Sequence, residues 1–211
     1  MTIRSARPDD AEFIAKTILS SMRGHRPRGW FDIALGWPEA ECLAFAARIA
    51  VAQTVSIWHV SRFLVAEVDG RPAAALCALP VAGSGLAAWR ALEDVARENG
   101  LGASELAAIR QRGGYIRSCW LGGDDDDWLI EHVVADPAHR GRGLVQALIA
   151  RALEAGRAAG FSRASIPFLI GNEAAERCYA RAGFVFADEK RDAGFEALIG
   201  APGFRRFVRA I

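Results

Sequence analysis

Residues 136–144 read Asp136-Pro137-Ala138-His139-Arg140-Gly141-Arg142-Gly143-Leu144, and what flanks them sets the architecture. On the N-terminal side, Trp128–Ala135 is too apolar and too rich in β-branched residues for a surface helix, so it reads as a buried central strand. On the C-terminal side, Val145, Leu148, Ile149, Ala152 and Leu153 recur at helical spacing through 144–159, and Gly160 closes that helix. A further strand follows over 163–170. Strand, crossover helix and strand form a βαβ unit with parallel strands. Gly141 and Gly143 permit positive φ and close backbone approach, the first helix amides face outward, and Arg140 and Arg142 add positive charge. Such a turn suits a pyrophosphate. It lacks the GK[ST] of a Walker loop and the spacing of a dinucleotide fingerprint, and taken alone it reads equally as a solvated connection.

Outward from this unit the chain alternates strands and helices. A short strand at 3–5 precedes a helix opened by Pro8-Asp9-Asp10, with Phe13, Ile14, Ile18, Leu19 and Met22 on its apolar face. A loop holding Trp30, Phe31 and Trp37 leads to a second helix over 39–53. Runs at 62–68 and 71–79, separated by Asp69-Gly70, predict an antiparallel hairpin. Two helices at 87–97 and 103–112 then form an insertion spanning about 83–127. Downstream, Asn172 caps a helix stopped by Gly183, and 184–189 with 204–211 predict a closing hairpin with a long connection. The fold class is α/β (α+β): one domain over 1–211, with a mixed twisted sheet flanked by helices and a helical insertion between its third and fourth strands.

The second distinctive segment runs from Asn172 through Ala175, Tyr179 and Gly183 to Phe184. With Arg140-x-x-Gly143-x-Val145, it resembles the GNAT superfamily of acyl-CoA-dependent N-acetyltransferases, whose motifs are Arg/Gln-x-x-Gly-x-Gly/Ala and Asn-x-x-Ala-x-x-x-Tyr-x-x-x-Gly-Phe. The resemblance covers roughly residues 1–82 and 128–211. It implies acetyl-CoA as co-substrate, with its diphosphate on the amides of Arg142, Gly143, Leu144 and Val145 beside Arg140 and Gly141. Its pantetheine would lie along the backbone of Val133, Val134 and Ala135, with Asn172 at the arm. Val145 replaces the family's small residue where its β-branched side chain can crowd the helix start, and since the contacts are made by backbone amides, weaker or shifted binding and not its loss is expected. Pro167, inside an apparent central strand, is explained either by a sheet that splays to admit the cofactor or by a strand that ends there.

Transfer to an amine requires removal of a proton from the ammonium and protonation of the departing thiolate. By resemblance Tyr179 is the acid; the other reading is a core tyrosine. Glu131 interrupts an apolar strand, so it is either the base or half of an ion pair with an arginine. His132, expected on the opposite face by strand alternation, is the second choice. Trp30, Phe31 and Trp37 are candidates for the acceptor pocket, and the acidic run 124–127 either draws a cationic amine or is merely solvated.

With 26 basic against 25 acidic side chains, the charge is balanced, which disfavours nucleic acid or an anionic membrane as partner. No apolar leader opens the sequence, and Cys42, Cys77, Cys119 and Cys178 are scattered without a CxxC pair. A cytoplasmic protein with reduced thiols and no metal is expected. The function implied is an N-acetyltransferase acting on a primary amine of a small molecule or peptide, with the insertion covering the acceptor site or mediating a homodimer. The alternatives are a non-catalytic acyl-CoA-binding regulatory module and an ATP-binding protein; the latter lacks the Lys-Ser/Thr of a phosphate loop and a magnesium carboxylate pair.

Overall fold

A computed structural model describes residues 1–211. Seven strands, β1 (Thr2–Ser5), β2 (Phe63–Val68), β3 (Arg71–Pro80), β4 (Trp128–Ala135), β5 (Arg163–Leu169), β6 (Val185–Arg191) and β7 (Gly203–Ala210), form one sheet in the order β1-β2-β3-β4-β5-β7-β6. The eight α-helices are α1 (Ala11–Arg23), α2 (Trp30–Leu35), α3 (Glu39–Ala50), α4 (Ser84–Glu98), α5 (Ala103–Gly113), α6 (Leu144–Ala158), α7 (Glu173–Arg181) and α8 (Ala193–Ile199). Only β4 and β5 are parallel, as their crossover through α6 requires. None of the helices is long and apolar enough to cross a membrane.

Two cores cover the two faces of the sheet. One packs α1 to α5 against residues such as Phe63, Cys77 and Leu129. The other packs α6 and α7 against Leu76, Ile130, Ile166 and Phe207. The insertion therefore belongs to the first face, where Ala88, Leu92, Val95 and Ile109 enter its core. On the second face α6 approaches β4 closely enough that a Cβ on Gly156 would lie 2.7 Å from the Trp128 ring, which accounts for a glycine inside a helix.

The βαβ unit and the Asp69-Gly70 hairpin form as the sequence predicts, but other expectations need correction. The loop after α1 contains the short helix α2, and the connection between the last two strands contains α8. Asn172 caps α7 as expected, accepting from the Ala175 amide at 3.3 Å. The closing strands do pair antiparallel, yet β7 inserts between β5 and β6. Along β5, pairing with β7 continues through Pro167 to Leu169, so the proline does not end the strand. The β4–β5 ladder instead stops after Trp128↔Ala164 and Leu129↔Ser165, and beyond those pairs the two strands diverge.

Candidate active site

A cleft of about 1960 Å³ opens where β4 and β5 part. Its walls include β4 residues Glu131, His132, Val133, Val134 and Ala135, the 139–146 turn and helix start, and Asn172, Cys178 and Tyr179 around α7. The first-core face contributes the end of α1, Trp30, Trp58 and residues of the insertion.

Gly141 and Gly143 both have φ of +75°, and Gly143 caps α6 from the left-handed region, which a glycine adopts without strain. The first turn bond runs from the Ala147 amide to the Gly143 carbonyl, and no side chain caps the helix. Thus the six successive amides of residues 141–146 have no acceptor within the protein. Those of 141–143 lie on an exposed turn beside Arg140 and Arg142 and those of 144–146 in the first turn of α6, at the positive end of a 15-residue helix. Gln146 was not singled out in the sequence; besides its free amide, its side chain donates 2.8 Å to the Cys178 carbonyl and ties α6 to α7. Val145 is half-buried and packs against the core beneath α6 while bordering the cleft.

Glu131 sits opposite Cys77 on β3 and faces the first core. It is buried, and no arginine or other side chain pairs with it, which removes the ion-pair reading. Burial without a compensating charge raises its pKa to about 8. Tyr179 is packed in the second core against Phe168, at 5.5 Å between ring centroids. Burial is also the main cause that lifts its phenol pKa, with Cys178 and Glu131 adding like-charge effects. Carboxyl and phenol thus border one cleft from opposite faces of the parted sheet.

His132 departs from the alternation expected of it. Register between β3 and β4 shifts between Ala75 and Cys77, and His132 has φ of +51°, so a β-bulge turns its ring to the same face as Glu131. There it stacks on Phe63 and its Nδ1 lies 2.8 Å from Ser21 Oγ. Since the Ser21 hydroxyl donates to the Ile18 carbonyl at 2.8 Å, the geometry assigns the proton to Nδ1. Nε2 is left without a partner and closed to solvent, and burial lowers the ring's pKa to about 3. A histidine so placed stays neutral near pH 7.

Of the aromatic candidates, Trp30 borders the cleft and donates 2.9 Å from Nε1 to the Gly113 carbonyl. Phe31 and Trp37 do not reach it: Phe31 is inside the first core, where α2 folds it inward, and Trp37 packs edge-on against Phe45. Sequence reasoning placed all three in one loop, and the short helix separates them. It also missed Trp58, Trp89, Tyr115 and Trp120, which line the cleft from elements whose approach no local pattern reveals. Two members of the acidic run form a strap, while Asp125 and Asp126 stay exposed. Asp127 is fully buried against Arg163, and Asp124 pairs with Arg163 and lies 3.5 Å from Arg206.

The acetyltransferase (GNAT) family model matches residues 28–184. No curated protein matches the sequence. Among solved structures, an acetyltransferase superposes with a TM-score of 0.71 at 21% identity, covering 100% of both chains. An N-acetyltransferase from Staphylococcus aureus Mu50 gives 0.69 at 23% identity, over 99% of this chain and 100% of its own. An agmatine N-acetyltransferase gives 0.58 at 18% identity, over 100% and 99%. At these identities the likeness is one of fold.

Proposed function

The chain belongs to the GNAT family of acetyltransferases, and from that premise we propose that it transfers the acetyl group of acetyl-CoA to a primary amine of a small molecule, directly, in a ternary complex. One observation carries the reading: six acceptor-free amides, an unpaired buried carboxyl and a buried phenol border a single cleft through the sheet. The structural likeness to N-acetyltransferases, one named for agmatine, supports nitrogen as the acceptor atom.

Acetyl-CoA supplies the acetyl group as a thioester. The amides of Arg142, Gly143, Leu144, Val145 and Gln146, with Arg140 and Gly141, would hold the diphosphate through backbone donors and the α6 dipole. Because those donors are main-chain, the valine at 145 permits the contact. The diverging edge of β4 at Val133, Val134 and Ala135 offers strand backbone to the pantetheine amides, with Asn172 beside them. Glu131 takes a proton from the incoming ammonium, whose charge favours the ionised carboxylate. The freed nitrogen lone pair forms the C–N bond as the C–S bond breaks, and Tyr179 gives its proton to the departing sulfur. Burial makes Tyr179 a weaker acid, but the same low-polarity surroundings make a thiolate there a stronger base. The amide nitrogen sheds its second proton, so one proton leaves to solvent for each amide formed.

Thermal unfolding with acetyl-CoA, followed in the same sample by thiol release against an amine library, tests this. At 100 times its dissociation constant the ligand should add about 2.7 kcal/mol, or roughly 5–11 °C in Tm for a chain of this size. Amine-dependent thiol release should follow, and Tyr179→Phe should lower kcat about 100-fold with little change in acetyl-CoA affinity. Stabilisation without release from any amine would favour the binding module, and no stabilisation at saturation would refute the diphosphate cradle.

A further inference from the structure

The acceptor side of the cleft carries its own chemical signature, separable from that of the cofactor side. Glu131 projects toward the first core, and the walls on that face come from α2, the segment before β2, and the insertion. They present Trp30, Trp58, Trp89, Tyr115, Trp120 and Leu86. Leu86 is 60% exposed, an apolar surface at the mouth that the protein leaves uncovered.

The charges point the same way. Three carboxylates border the cleft: Asp124, Asp188 and Glu131. Asp188 is held by Arg206 in a two-pronged pair at 2.7 and 2.9 Å. Asp124 is engaged by Arg163 and Arg206. Glu131 is committed to the reacting nitrogen. Among the carboxylates that line the cleft none remains for a second ammonium or a guanidinium, the exposed Asp125 and Asp126 being outside its lining, while Arg110 and the exposed Arg117 stand among the insertion's lining residues. Aromatic faces alone can hold a cation, but the face of Trp89 already carries the Arg110 guanidinium at 4.5 Å, itself anchored to Glu93 at 2.7 Å. The faces of Trp30 and Trp58 lie against each other at 5.8 Å between centroids. A second positive charge entering this chamber would lose water and meet like charges.

We infer that the acceptor is a primary monoamine with an aromatic or bulky apolar body and no second cationic group. This rests on the transferase reading and narrows it. The apolar body lies against Leu86, Tyr115 and the borders of the tryptophans that line the cleft, its ammonium reaches Glu131, and linear polyamines and agmatine are disfavoured by the absence of a counter-charge. The structural neighbour named for agmatine shares the fold without sharing this inference.

The test compares kcat/KM, by thiol release with saturating acetyl-CoA, for tryptamine and 2-phenylethylamine against agmatine and spermidine. Calorimetric affinities of the same four amines are measured with CoA bound. The aromatic amines should lead by about 100-fold in both, and Trp89→Ala should narrow that lead. Arg117→Glu, an exposed change that leaves the core intact, should raise kcat/KM for agmatine relative to tryptamine roughly tenfold by supplying the missing counter-charge. Agmatine or spermidine matching the aromatic amines, or failure of the aromatic amines to bind the CoA-loaded protein, would overturn the inference. Failure of acetyl-CoA itself to stabilise the protein would instead overturn the transferase reading beneath it.

Discussion

At Glu131 and Tyr179 one cause, burial, raises the pKa of a carboxyl and of a phenol, the base and the acid of the proposed mechanism. For the carboxyl, burial lifts the pKa from 4.5 to about 8, so the folded chain holds the proton more tightly than the unfolded chain between those values. Stability therefore falls as pH rises from about 4.5 to about 8, by up to roughly 1.4 kcal/mol per pH unit. Glu131→Gln, which cannot ionise, should be less pH-sensitive: urea midpoints at pH 5 and pH 8.5 should show the variant gaining on the wild type at the higher pH. The rate should move oppositely, because in the proposed mechanism the carboxylate is the working form. In the wild type kcat/KM should rise with pH toward 8, and in Glu131→Gln that rise should vanish with a loss of about 10²- to 10⁴-fold. A variant that retained the rise would transfer the base role elsewhere. The unusual placement of Glu131 is visible in the sequence, as an acid in an apolar run. The bulge at His132 is not, because a one-residue register shift depends on the partner strand and leaves no mark in the local pattern.

At the scale of elements, the 124–127 strap and the Gly143 cap hold the two sides of the cleft in place. Asp127 accepts from Arg163 and, at 3.0 Å, from the Asp124 amide, with Arg206 at 3.7 Å. Asp127→Asn leaves those arginines without their buried countercharge. Arg163 is partly solvated, so the loss should fall below that expected for breaking a fully buried pair, at about 2–3 kcal/mol, readable as a lower urea midpoint. Gly143→Ala forces a Cβ into the left-handed region, although nothing lies within 4 Å of it, and should cost about 1–2 kcal/mol from conformation alone. The same change should weaken acetyl-CoA binding in calorimetry by tilting the first α6 amides. The central βαβ unit and the α7 cap were legible because each is local: periodicity, a glycine stop and a cap residue sit within one turn of each other. The aromatic wall was less legible. Trp58, Trp89 and Trp120 come from separate segments, and only the packing of the insertion on the first core gathers them.

The whole molecule is a sheet in two parts, β1–β4 and β5–β7–β6, that share just the pairs at Trp128 and Leu129, reinforced by the strap and by α6. That the sheet mixes parallel and antiparallel strands followed from the sequence; where β7 inserts did not, because strand order among antiparallel neighbours is decided by long-range contacts. The divergence of β4 and β5 makes room for a ligand, and it also removes the inter-strand bonds that would otherwise hold the middle of the fold. A ligand bridging the amides at 141–146, the free edge of β4 and the α7 side replaces part of that missing cohesion. Native-state hydrogen exchange should accordingly show β5 and β7 gaining protection on acetyl-CoA binding, beyond the amides that touch it. Unchanged protection there would mean that the two parts are already locked together. If the seam is where the ligand binds, the protein's lifetime against proteases is tied to supply, because the short β4–β5 ladder has least to hold it when the ligand is scarce.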